Sequence, residues 1–204
     1  MWSLDDYRYI FVFVGLIGII LLSVPSASIL ISSQQGDPFS ELYILGSEHI
    51  AEKYPFNISS DSDYSVYLGV VNHLGSSAFY EVDLKLLNSS DAVPDTASGV
   101  SSPLPVLYSY NVFLLDGQTW ETISDFSFSN VTIHELSGRT VLYVGVMNIN
   151  HIPVQVDNSV EWDSENSGYF YRFVVELWRY NTTSNAFRFD GRFVSLWLNV
   201  TSSG

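Results

Sequence analysis

Residues Phe79–Leu86 alternate one by one. Tyr80, Val82, Leu84 and Leu86 fall on one side, and Phe79, Glu81, Asp83 and Lys85 on the other. Only an extended chain repeats its side-chain direction every second residue, so this stretch reads as a strand with one buried and one solvated face. No helical period appears after residue 60, and similar strand-like runs recur. Tyr64–His73 precedes it across Gly75-Ser76-Ser77, which reads as a hairpin turn. Leu107–Leu115 and Thr119–Phe128 are joined through Asp116-Gly117, and Thr140–Asn148, Tyr169–Tyr180 and Ala186–Val200 follow. Asn181–Asn185 is the polar tip of a hairpin, and Leu42–Leu45 is a short first strand. About eight strands separated by turn residues predict an all-β ectodomain, an antiparallel immunoglobulin-like β-sandwich. Asn88–Pro105 and the acidic Asn150–Ser167 read as irregular loops.

Tyr67-Leu68-Gly69-Val70-Val71-Asn72 and Tyr143-Val144-Gly145-Val146-Met147-Asn148 share the pattern Y-x-G-V-x-N. The echo fits one strand solution used twice in a single sandwich over 41–204. It equally fits two small units, about 41–135 and 136–204.

Ahead of the strands lies a different solvent requirement. Tyr9–Leu22 is nearly unbroken apolar sequence, continued more weakly to Ile31. As a helix, residues 9–31 reach about 34 Å, enough for a hydrocarbon core of roughly 30 Å. Pro25 ends or kinks its tightest part. A cleaved signal peptide is the rival reading, but Asp5 and Asp6 outweigh Arg8 in what would be its positive leader. The expected order is a short cytoplasmic N-terminus at 1–8, one transmembrane helix at 9–31, a stalk at 32–40 and the β-sandwich outside. The expected location is the cell membrane, single-pass, with the C-terminal domain extracellular.

Composition narrows the chemistry. Eight Lys+Arg against 22 Asp+Glu leave a net charge of −14, which excludes a nucleic-acid partner. With no Cys there is no disulfide, thiolate metal site or Cys nucleophile. Five Asn-x-Ser/Thr acceptors, at Asn57, Asn88, Asn130, Asn181 and Asn199, point to an exported surface bearing N-linked glycans. His49, His73, His134 and His151 show no helical metal spacing, although His73 and His151 follow the echoed strands and could share one end of a sandwich. Asp61-Ser62-Asp63 and Asp157…Glu161…Asp163…Glu165 offer oxygen ligands for calcium, without EF-hand spacing. No other cofactor is indicated. No G-x-S-x-G or S-x-x-K is present, and nothing selects a carboxylate pair, so no catalytic residue is assigned and no enzyme is expected. Trp178 and Trp197 lie in strongly apolar strands and read as core, whereas Trp120, Trp162 and several Tyr could form a platform.

Three segments carry a resemblance. They are Phe39-Ser40-Glu41-Leu42-Tyr43-Ile44-Leu45-Gly46, Tyr54-Pro55-Phe56-Asn57 and Gly69-Val70-Val71-Asn72-His73. Together they resemble the opening of an archaeal membrane-protein family catalogued as domain of unknown function 1616. Leu115–Glu121 is similar to its "L-x-G-x-x-W" turn and Phe193–Val200 to its closing "L-W-x-x-V" strand. The resemblance implies an archaeal cell-envelope setting and carries over no activity and no site residue.

The expected role is a structural or interaction protein, an accessory subunit of a membrane complex or a surface-layer tether, with other membrane or surface-layer proteins as partners. The alternative is a carbohydrate- or solute-binding module, which exposed aromatics flanked by Asp would favour.

Overall fold

The structure, a computed structural model, describes residues 12–14, 16, 17 and 37–202. The described residues among 12–17 are helical. No helix among the described residues is long and apolar enough to cross a membrane. The expected cytoplasmic segment 1–8, most of the span 9–31 and most of the stalk lie outside the described residues.

The chain divides into two compact units, Met1–Pro38 and Phe39–Gly204. The second is all-β. Its strands are β1 (Phe39–Leu45), β2 (Asn57–Ser59), β3 (Tyr64–His73), β4 (Ala78–Asn88), β5 (Tyr108–Leu114), β6 (Thr119–Leu136), β7 (Arg139–Ile149), β8 (Ile152–Glu161), β9 (Phe170–Asn181) and β10 (Ala186–Thr201). They form two five-stranded sheets, ordered β1-β3-β6-β7-β8 and β2-β10-β9-β4-β5. Every pairing is antiparallel except that of β2 with β10. Each sheet draws strands from both halves of the chain, so 41–135 and 136–204 are interleaved rather than separate.

The alternating side chains close the interior between the sheets. Tyr80, Val82 and Leu84 of β4 are fully buried, as are Phe126, Phe128, Leu142, Tyr171 and Phe173 from both sheets. Phe126 of the first sheet stacks on Phe173 of the second at 5.3 Å. Two buried tyrosines satisfy their hydroxyls across the interface. Tyr171 donates to the carbonyls of Leu142 and Asn158, and Tyr80 donates to Asn72 Oδ1 (3.2 Å). Buried hydroxyls without partners would be costly, so these bonds fix how the sheets face each other.

The structure corrects the strand reading in four places. The described residues form ten strands rather than about eight. β8 runs through what reads as an acidic loop, and a two-residue turn introduces it: Asn150 and His151 both have positive φ, 49° and 64°. Gly75-Ser76-Ser77 makes no hairpin, because β3 and β4 lie in different sheets. Finally, the second face of β4 is not solvated at its middle. Asp83 and Lys85 are 4% and 3% exposed, because residues 89–107 fold over them.

Candidate functional site

The outer face of the second sheet concentrates the unusual chemistry, in three zones. The central zone is ionic. Lys85 Nζ lies 2.9 Å from Glu176 Oε2 and donates to the carbonyl of Ser102 (2.7 Å). The Ser102 N–H donates to Glu176 Oε1 (2.8 Å), and Trp178 Nε1 to Glu176 Oε2 (3.2 Å). Asp83 sits directly opposite Glu176 in register and accepts from Ser109 Oγ (2.6 Å). Burial pushes the Asp83 carboxyl above its ordinary value and Glu176 adds to the shift, while the Ser109 hydrogen bond and Lys85 oppose it. Lys85 and Glu176 each bond the Ser102 backbone, so the pair holds the loop over the sheet.

The second zone is aromatic and lies at the end where the chain enters β1. One ring comes from each of four neighbouring strands: Phe113 of β5, Phe79 of β4, Tyr180 of β9 and Phe187 of β10. Phe113 pairs with Phe79 and Tyr180 with Phe187 in register. Phe79 lies 6.4 Å from Tyr180 and 5.2 Å from Phe187. Phe113 is 62% exposed and Phe79 37%. Trp178 and Phe189 form a second row behind them, 5.8 Å apart.

The third zone lies at the opposite end of the same face. A cleft of about 480 Å³ is lined by Phe56, Ser89, Asp163, Asn166, Phe170 and Trp197. Trp197 is 43% exposed, and the Arg172 guanidinium lies over its ring at 4.2 Å. Asp163 is committed to its own turn: it accepts from the N–H groups of Glu165 and Asn166 and from Asn166 Nδ2. Those bonds hold its carboxyl below the ordinary value.

The sequence-selected residues disperse. His73 stacks on Phe39 (4.8 Å) at the end where the chain enters, whereas His151 sits in the β7–β8 turn beside Asp63 and Asp125. Asp125 pairs with Ser65, eight residues along β3 from His73, so about 25 Å separates the two histidines. His49 meets Glu121 at 2.5 Å and packs on Tyr67, and His134 bonds Thr132. Among the described residues no group of three metal-ligating side chains converges. The acidic run separates likewise. Asp157 accepts from the Tyr143 hydroxyl, Glu161 pairs with Arg139, and Asp163 turns its loop.

Trp178 and Trp197 correct the core reading, since both lie on the outer face; an apolar strand in this sheet carries rings on both sides. Sequence reasoning missed Phe113 and Phe187, whose only signal is cross-strand register. The five acceptor asparagines divide by what holds their amides. Asn130 and Asn181 are exposed, and neither Nδ2 donates among the described residues. Asn88 Nδ2 donates to Asn158 and to the Ser159 carbonyl, and Asn199 Nδ2 donates to Asn57.

A family model described as a domain of unknown function, DUF1616, matches residues 33–153. The closing strand Phe193–Val200 lies outside that match. No curated protein matches the chain. Among solved structures, the chain is similar to a β-glucosidase from Listeria innocua in complex with isofagomine, at 12% identity and a TM-score of 0.36, covering 81% of this chain and 16% of that one. It is also similar to a calcium-binding mutant of Bacteroides uniformis β-glucuronidase 2, at 11% identity and a TM-score of 0.34, covering 81% and 14%. The chain thus spans about a sixth of those enzymes, and likeness at this level carries no argument about activity.

Proposed function

We propose, for a chain that belongs to the family of the domain of unknown function DUF1616, a role as a membrane-anchored extracytoplasmic interaction protein. It serves as an accessory subunit of a membrane complex or as a tether in the cell envelope. Its apolar segment 9–31 is the anchor, and its two-sheet unit is an immunoglobulin-like module standing outside the membrane. The observation that carries the reading is the row Phe113, Phe79, Tyr180 and Phe187. The rings of Phe79, Tyr180 and Phe187 touch one another, and Phe113, the most exposed of the four, stands beside Phe79 in register; aromatic residues of this kind are what protein interfaces enrich. A second reading, a carbohydrate-binding module, draws support from the Trp197 cleft, whose exposed indole and flanking polar groups suit a sugar ring.

The anchored topology is tested with the full chain tagged at its C-terminus. The expected result is that the protein stays in the membrane pellet through alkaline carbonate extraction, and that antibody reaches the tag on intact cells. Release by carbonate, or a tag reached only after permeabilisation, would contradict it.

A further inference from the structure

Asn57 and Asn199 are register partners across the parallel β2–β10 pair, and each begins an Asn-x-Ser/Thr triplet. They are not equivalent. Asn199 is committed at both ends of its amide: Nδ2 donates to Asn57 Oδ1 (3.2 Å), and Oδ1 accepts from the Tyr169 N–H (3.1 Å). A Cβ placed on Gly168 would come within 2.4 Å of that oxygen, so the 163–168 turn is packed directly onto it. Asn57 is exposed, and its Nδ2 donates to nothing among the described residues.

Asn57 adjoins the third zone through Phe56, which lines its cleft. Trp197 lies two residues before Asn199 on β10, hence on the same face of the sheet and one pleat away. Phe56 directly precedes Asn57, is 49% exposed, and lies 6.2 Å from Phe170. Arg172, over Trp197, pairs with no carboxylate among the described residues; its Nε is buried, and the two terminal nitrogens of its guanidinium donate to none of those residues. An exposed aromatic platform, a guanidinium with spare donors and an available asparagine amide thus meet at one place.

We propose that Asn57 carries an N-linked glycan whose first sugars lie in the Phe56–Trp197 cleft, with Arg172 donating to their hydroxyls. Asn199 stays unmodified and holds the Asn57 amide in position. The bond formed joins Asn57 Nδ2 to the anomeric carbon of a phosphate-activated oligosaccharide. The phosphate-bearing carrier leaves with the bonding electrons, and the amide gives up one proton. The inference rests on the extracytoplasmic reading above. It identifies the cleft's occupant as the chain's own modification.

The test uses the full chain made in a host that N-glycosylates exported proteins. Peptide mass mapping is expected to show Asn57 occupied and Asn199 bare. Trp197→Ala is expected to lower the Tm of the glycosylated chain by about 2–4 °C more than it lowers the Tm of a Ser59→Ala chain, which keeps Asn57 but cannot be modified there. Phe56→Ala serves as a second probe of the same coupling. Asn57 bare while Asn130 or Asn181 bears sugar overturns the inference and leaves the extracytoplasmic reading standing. Sugar at none of the five acceptors overturns both. Asn57 occupied, with Trp197→Ala and Phe56→Ala equally costly in both chains, overturns the seating in the cleft.

Discussion

Gly69 and Gly145 occupy the same place in the repeated Y-x-G-V-x-N pattern and do different work. At Gly69 a Cβ would fall 2.0 Å from Tyr43 Cζ, so the missing side chain is the space in which the Tyr43 ring lies. That ring is held there by its hydroxyl, which donates to Glu121 (2.9 Å); burial and the Glu121 carboxylate push its pKa up to about 12. At Gly145 two irregularities meet, with Asn130 (φ 54°) on one side and Asp157 (φ 47°) on the other, and the register slips between Val144 and Val146. The paired asparagines diverge too. Asn72 is fully buried and its side chain bonds Ser76, Leu114, Leu74 and Tyr80, while the Asn148 amide donates to two serine hydroxyls at 3.4 Å. Identical letters were legible; their different neighbours come from long-range pairing and were not. Gly69→Ala is therefore expected to cost about 1–3 kcal/mol by displacing the ring. In a Tyr43→Ala background the same change becomes favourable by about 0.5–1 kcal/mol, since glycine is then only a weak strand residue. Chemical denaturation of the four chains measures both signs, and an equal effect in the two backgrounds would refute the account.

At the scale of elements, the 89–107 loop behaves as a lid fixed by one ion pair. Ser102 offers its N–H to Glu176 and its carbonyl to Lys85, so the two charges satisfy each other and the backbone above them. Removing one partner strands the other charge in a buried site. Lys85→Met is expected to cost about 3–5 kcal/mol, because it leaves the buried Glu176 carboxyl without its cation. The Lys85→Met/Glu176→Leu double variant should regain most of that stability, while its unpinned loop is cut faster than the parent's in limited proteolysis. A loss under about 1 kcal/mol in the single variant would show that the pair is not what holds the loop. The alternation of β4 was plain in the sequence, and it did place Tyr80, Val82 and Leu84 in the core. It could not reveal that Asp83 and Lys85 are also covered, because period-two reasoning sees a strand and its two faces but not a distant loop closing over one of them. β8 escaped for a related reason: Pro153, the acidic side chains and the positive φ at Asp157 are the marks of a blunted edge strand, and they read as loop when the partner strand is unknown.

For the whole molecule, the two ends of the outer face of the second sheet are the surfaces that matter. The far end carries the Trp197 cleft. The near end carries the four-ring row. The all-β class and most strands were readable from the period and the turn residues. The assembly of Phe113, Phe79, Tyr180 and Phe187 was not, because sheet order β10-β9-β4-β5 is a non-local fact. The interaction reading stands or falls on that row, and one measurement addresses it directly. The full chain and its Phe79→Ser/Phe113→Ser variant are purified from native membranes in mild detergent, and co-migrating proteins are quantified by mass spectrometry. The account predicts a stoichiometric membrane or envelope partner with the parent chain and its loss from the variant, with both chains showing the same circular dichroism. A parent chain that runs alone, or a partner retained undiminished by the variant, would contradict it.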